Sequence, residues 1–173
     1  RGDGFFRLTF EVDGEPVAAV LQGSGDDAYD LFINGQHVRS SGFAFLRTDT
    51  IDLLPHLRPG RNVLAAVCHN AAFPGGWLAQ LTVTYADGRQ VNVVSDRNTR
   101  FWHEEQPGWA DLDFDDSKWE ACRELARPPQ GVWGPLPLSY AGVRRRLELV
   151  SLDAPSQVEA GALLKVSAVV RPL

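Results

Sequence analysis

Apolar residues recur at every second position along most of this chain, and that period constrains the fold more than any other feature. Phe6, Leu8, Phe10 and Val12 alternate with Phe5, Arg7, Thr9 and Glu11. This is the pattern of a strand with one face in a core and the other in water. Asp13-Gly14 supplies a tight turn before a second run from Val17 to Leu21. Tyr29, Leu31 and Ile33 share one face of the next segment, which runs into Asn34-Gly35. That dipeptide tolerates positive φ at both positions and is the strongest short hairpin signal in the chain. Pro59-Gly60 feeds an apolar run from Val63 to Cys68. Trp77, Ala79, Leu81, Val83 and Tyr85 form another alternating strand, which Asp87-Gly88 turns back into Gln90 to Ser95. Helical periodicity is nearly absent. Ser117 to Leu125 is its best candidate, at one or two turns, while Thr50 to Leu57 is too interrupted and suits a cap over one end of a sandwich. The pattern predicts an all-β, antiparallel jelly-roll β-sandwich.

Bulk properties narrow the function classes. A chain of 173 residues accommodates one full domain and part of a second. Its 44% hydrophobic and 23% charged content is that of a chain able to build a core, which excludes disorder. With 17 Lys and Arg against 22 Asp and Glu, the net charge of −5 disfavours a nucleic-acid partner. No apolar run approaches the ~20 residues of a membrane helix. The sequence opens at Arg1 rather than Met, which reads as a piece of a longer chain and leaves the compartment open. Cys68 and Cys122 make neither a disulfide framework nor a zinc pattern, and Cys68 reads as a buried thiol. Beyond Arg144-Arg145-Arg146 the character changes. Leu147 to Val150, Pro155, Val158 to Gly161 and the alternation Leu164, Val166, Ala168, Val170 suggest the opening strands of an immunoglobulin-like domain, or a terminal hairpin on the main sandwich. The expected division is 1–142 for the sandwich and 143–173 for this C-terminal β segment.

Catalytic signatures are missing. Asp111, Asp113 and Asp115 have the one-three-five spacing of a calcium loop, but Asp116 stands where the turn needs Gly and Cys122 where it needs Glu. His37, His56, His69 and His103 show no metal-ligand spacing, and no serine sits in a nucleophile elbow. The carboxylates are many, but nothing in the sequence pairs two across a sugar at the ~5–9 Å that glycoside hydrolysis requires. No cofactor is expected. Aromatics remain, because a pyranose stacks an apolar face on Trp or Tyr while its hydroxyls seek Asp, Asn, Arg or His. Trp102, His103, Glu105 and Trp109 form an aromatic and polar loop, and Trp77 stands at a loop-to-strand entry, so these five are the candidate carbohydrate-binding residues. A core or interface role competes for Trp77, Trp102, Trp119 and Trp133. Trp109, which follows Pro107-Gly108, is expected to be exposed.

Four stretches resemble galactose-binding-like domains. They are Asp26-Asp27-Ala28-Tyr29-Asp30-Leu31-Phe32-Ile33-Asn34-Gly35, Ile51 to Leu64 with its Leu57-Arg58-Pro59-Gly60-Arg61-Asn62-Val63 turn, Phe114-Asp115-Asp116-Ser117-Lys118-Trp119, and Gly131-Val132-Trp133-Gly134. Each is weak alone, but their order over residues 5–140 is fairly specific for the superfamily. Such modules occur near the N-termini of bacterial α-L-rhamnosidases, and related sandwiches flank the barrels of β-galactosidases and β-glucuronidases. The resemblance implies a non-catalytic accessory module of a larger glycoside hydrolase, supporting substrate binding or domain packing. It implies carbohydrate and the neighbouring catalytic and immunoglobulin-like domains as partners, and it leaves room for a structural calcium. The alternative is a purely structural or protein-interaction sandwich of a cell-surface protein. Within the resemblance Trp119 reads as an aromatic anchor on the sheet, with Asp116 or Ser117 capping a short turn beside it.

Overall fold

The computed structural model describes residues 2–71, 75–130 and 133–135, together with the backbone of 138–139, 147–153 and 167–172. Phe73-Pro74, Gly131-Val132, Arg144 to Arg146, Pro155, Val158 to Gly161, Leu164 and Val166 lie outside the described residues. Thirteen strands are described: β1 (Gly2–Val12), β2 (Pro16–Gly25), β3 (Ala28–Ile33), β4 (Gln36–Phe43), β5 (Thr48–Asp52), β6 (Gly60–Asn70), β7 (Trp77–Tyr85), β8 (Gln90–Val94), β9 (Arg100–Trp102), β10 (Glu120–Ala121), β11 (Leu138–Ser139), β12 (Leu147–Asp153) and β13 (Ser167–Pro172). The only helical element among the described residues is a 3₁₀ turn, Leu54–His56, and no helix is long and apolar enough to cross a membrane.

The strands make a six-stranded sheet ordered β10-β9-β1-β6-β3-β4 and a five-stranded sheet ordered β11-β5-β2-β7-β8. All pairings in both sheets are antiparallel except the short β11–β5 contact. The chain is an all-β sandwich. Two compact units are present, Arg1–Gly142 and Val143–Leu173; within the second, β12 pairs antiparallel with β13.

The hairpins follow from their turns. Asn34 and Gly35 both take positive φ, 50° and 83°, as a two-residue turn between β3 and β4 demands. Asn62, fully buried, ties the Pro59-Gly60 turn shut. Its amide donates to the carbonyls of Arg58 and Gly60, and its side-chain oxygen accepts from the Arg58 backbone and from Asn34. Leu53 is buried at the adjacent sandwich end, with Leu54 and Leu57 packed against the core.

Leu8, Phe10, Leu31, Ile33, Leu64 and Ala66 from the large sheet meet Leu21, Ile51, Ala79, Leu81 and Val83 from the smaller one to form the main core. By strand alternation, Phe5, Phe32, Ala65 and Val67 lie on the opposite face of the large sheet, yet Phe5, Ala65 and Val67 are also buried. A strap, residues 103–119, covers them with Trp109, Ala110, Phe114 and Trp119. The half-exposed pattern expected for β1 therefore holds only at Thr9 and Glu11. β6 is buried on both faces, which is why Val63 to Cys68 reads as a continuous apolar run. Cys68 is a buried free thiol, and burial pushes its pKa up.

Arg7 pins the strap. Its side chain is fully buried, and its guanidinium donates to Asp116 Oδ2 at 2.9 Å, to the Asp111 carbonyl at 2.9 Å, to the Phe114 carbonyl at 3.4 Å and to the Trp109 carbonyl. It also lies 5.1 Å from the Phe114 ring centroid. The helix expected from Ser117 to Leu125 is absent. Asp115 instead accepts from the Ser117 backbone N–H, Trp119 N–H closes a turn on the Asp116 carbonyl, and the chain leaves as the two-residue β10. Trp119 is 3% exposed against the sheet, in the anchor position expected of it.

Candidate functional site

The five candidate residues do not come together. Trp109 is buried at 6% exposure, edge-on to Phe5 and Phe32 at centroid distances of 5.0 and 5.2 Å. Its expected exposure is wrong, because the Pro107-Gly108 turn sends the indole back onto the sheet. Trp102 is half-buried on β9, tilted on His103 at 4.9 Å; its indole N–H is buried without a partner among the described residues. His103 and Glu105 are exposed at the start of the strap. Trp77 is buried, and it lies elsewhere, at the start of β7, where it lines a cavity.

That cavity is a cleft of about 810 Å³. Its floor is the outward side of the five-stranded sheet, with Gln22, Leu78, Gln80 and Val94, and its far wall is formed by residues 120–128 and Trp133. The wall is held in place by Cys122 N–H donating to the Thr99 carbonyl at 2.9 Å, and by Arg97 and Arg127, which both reach Glu124 at 3.3 Å. Cys122 faces this cleft; burial, followed by the charge of Asp96, raises its thiol to about 11. Trp133 sits over Gly76, where even a Cβ would fall 2.8 Å from the indole, so the close approach requires glycine. The indole N–H groups of Trp77 and Trp133 are buried without partners among the described residues.

A second cavity of about 110 Å³ adjoins the cleft, and both have Phe6, Gly75, Gly76 and Phe101 in their walls. Asp26, Asn70 and Cys68 line its other side. The β2–β3 connection places the acid: Asp26 N–H donates to the Gly76 carbonyl, Asp27 N–H to the His69 carbonyl, and Ala44 N–H to the Asp27 carbonyl. Asp27 Oδ2 accepts from Ala71 N–H at 3.0 Å. Burial, then a hydrogen bond and like charge from Asp27, raises the Asp26 carboxyl to about 6. The Asp26-Asp27 and Gly75-Gly76 contributions were not recognised from sequence as a site. The acidic pair figures in a family motif and among the available carboxylates, without being singled out as a site.

Phe6 and Phe101, with ring centroids 5.2 Å apart, offer apolar faces next to a carboxyl pair. No group of three or more His, Cys, Asp or Glu side chains among the described residues could hold a metal ion. Along the strap, Asp115 caps the Ser117 turn, while Asp111 packs over Gly35 and Gly108, so the calcium-like spacing has become turn structure.

No family model matches the chain. It is 33% identical over 137 residues to an α-L-rhamnosidase of Streptomyces avermitilis, a match that covers 75% of this chain and 13% of that protein. The solved structure of Streptomyces avermitilis α-L-rhamnosidase complexed with L-rhamnose superposes with a TM-score of 0.73 and 31% identity, over 78% of this chain and 14% of that one. A lectin from Pleurotus ostreatus in complex with GalNAc superposes at 0.69 over 80% of this chain and 42% of its own, with 22% identity, which is a likeness of fold alone.

Proposed function

We propose that this chain, a galactose-binding-like sandwich of the kind built into α-L-rhamnosidases, is a non-catalytic domain of a glycoside hydrolase that holds a sugar at the junction of its two cavities. The observation that carries the reading is the lining of that junction. Apolar ring faces of Phe6 and Phe101 meet the Asp26 carboxyl and Asn70 beside a glycine pair that keeps the backbone low. A pyranose needs the same combination of an apolar platform and hydroxyl-directed oxygens. The likeness to the rhamnosidase solved with L-rhamnose supports carbohydrate as the ligand class. Residues 143–173 serve in this reading as the first strands of an immunoglobulin-like neighbour.

The test is calorimetric titration with L-rhamnose and N-acetylgalactosamine, alongside a chromogenic α-L-rhamnoside. We expect saturable binding of at least one sugar, a tenfold or greater loss in Asp26→Ala and in Phe101→Ala, and no turnover. A wild-type chain that binds no sugar sinks the reading, and turnover abolished by Asp26→Asn would make the chain an enzyme. Domain packing is a second role favoured by a separate observation: Phe43 and Leu46, on and just after β4, are 64% and 62% exposed. Serine at both positions should destabilise the full parent enzyme while leaving the melting of this chain alone unchanged.

A further inference from the structure

We infer that the site takes an extended glycan, with one sugar at the junction and the chain continuing along the cleft. This rests on the carbohydrate reading above and goes beyond it in length and direction. The small cavity, of about 110 Å³, adjoins the cleft, and Phe6, Phe101 and Gly75-Gly76 stand in the walls of both. A ring seated beside Asp26 and over these shared walls has the larger space directly next to it.

That larger space is furnished for further sugars. At about 810 Å³ it is more than seven times the volume of the small cavity. Trp77 and Trp133 wall it, each more than nine-tenths buried, and add apolar ring surface to the lining. The Gln22 and Gln80 amides face the same space from neighbouring strands, paired in register across β2 and β7. Leu78, Val94 and Leu125 alternate with them as apolar contacts, the last two being 40% and 57% exposed. Cations and acids in the lining nearly cancel: Arg123 and Arg127 face Asp96, Glu120 and Glu124, with Arg127 held by Glu124. A neutral polyhydroxylated chain suits this lining better than a polyanion or an acidic peptide.

The experiment titrates the whole 173-residue chain with L-rhamnose and with di-, tri- and tetrasaccharides that carry L-rhamnose at one end. The expected result is a tenfold or greater gain in affinity from monosaccharide to trisaccharide. In Gln80→Ala and Gln22→Ala that ratio falls toward one, and Trp133→Ala does the same if it folds; the glutamine variants keep the test decisive if it does not. Equal affinities for one sugar and three, with rhamnose binding lost in Asp26→Ala, overturn the extended site and leave the sugar-binding domain standing. No binding at any length removes both. A length-dependent gain that survives both glutamine variants also overturns the assignment. So does a parent-enzyme crystal structure in which another segment of the polypeptide fills the cleft.

Discussion

The two sheets treat their outer faces in opposite ways. The six-stranded sheet is sealed by the strap, with Trp109, Trp119 and Phe114 pressed on Phe5, Ala65 and Val67 and with the Arg7 guanidinium fully engaged beneath. Even Trp119 is satisfied, its indole N–H donating to Gln106 Oε1 at 3.2 Å. The five-stranded sheet leaves its outer face to a cleft, with Gln22, Gln80 and Val94 uncovered and the indoles of Trp77 and Trp133 unpaired among the described residues. Both regions are rich in aromatics, so aromatic content alone does not mark a binding surface. What separates them is cover: the strap buries the outer face of the six-stranded sheet, whereas the outer face of the five-stranded sheet lines the cleft.

The most forceful way to break this contrast is Arg7→Met. It removes the cation from a buried pair and strands the Asp116 carboxylate and three carbonyls, so urea unfolding should show a loss of about 3–5 kcal/mol. The open face should be insensitive by comparison, with Gln80→Ala changing stability by less than about 0.5 kcal/mol. Similar losses from the two substitutions would mean that the cleft is as much a part of the folded core as the strap.

This difference also explains what the sequence disclosed and what it withheld. Turn residues act locally, so Asn34-Gly35, Pro59-Gly60 and Asp87-Gly88 announce their hairpins without knowledge of the rest of the chain. The doubly buried β6 was legible as an unbroken apolar run. Arg7 was not: a polar residue in an alternating strand reads as solvent-facing, and its partners lie more than a hundred positions away, in the strap. The same remoteness misdirected Trp109, whose local Pro-Gly context suggests exposure while its packing depends on β1 and β3. Of the five residues selected from sequence, Trp77 lines the cleft, and Trp102, His103, Glu105 and Trp109 lie away from it. Asp26 and Gly75-Gly76, far apart in sequence, come together only when the ends of β2, β6 and β7 converge.

A smaller effect separates the two regions by pH. The Asp26 carboxyl, raised to about 6 by burial and by Asp27, keeps its proton in the folded state where an unfolded carboxyl at 3.8 has lost it. The stability this contributes is fully present below pH 3.8 and is lost as pH rises through 6. Between pH 4 and 6, wild type should therefore lose stability relative to Asp26→Asn. Parallel curves for the two proteins would show that Asp26 titrates normally.

The smallest expected effect lies on the six-stranded sheet beyond the strap. His69 reaches Asp30 through Nε2 and Asp3 through Nδ1, each at 3.0 Å, tying the start of β1 to β6 and β3, while His37 approaches the other Asp30 oxygen at 3.6 Å. Its pKa rises above 6.5, chiefly through the Asp30 hydrogen bond, against the opposing pull of partial burial and with help from Asp3. A raised histidine contributes stability that is complete below pH 6.5 and fades as pH climbs past the folded value, so its window opens where that of Asp26 has closed. Because the pair is substantially exposed, His69→Gln should cost under about 1 kcal/mol at pH 6, less in high salt, and nothing measurable at pH 9. A loss that persists at pH 9 would mean that the imidazole acts through packing rather than charge. The start of β1 would then be held in the same way as the strap, by contacts that do not titrate.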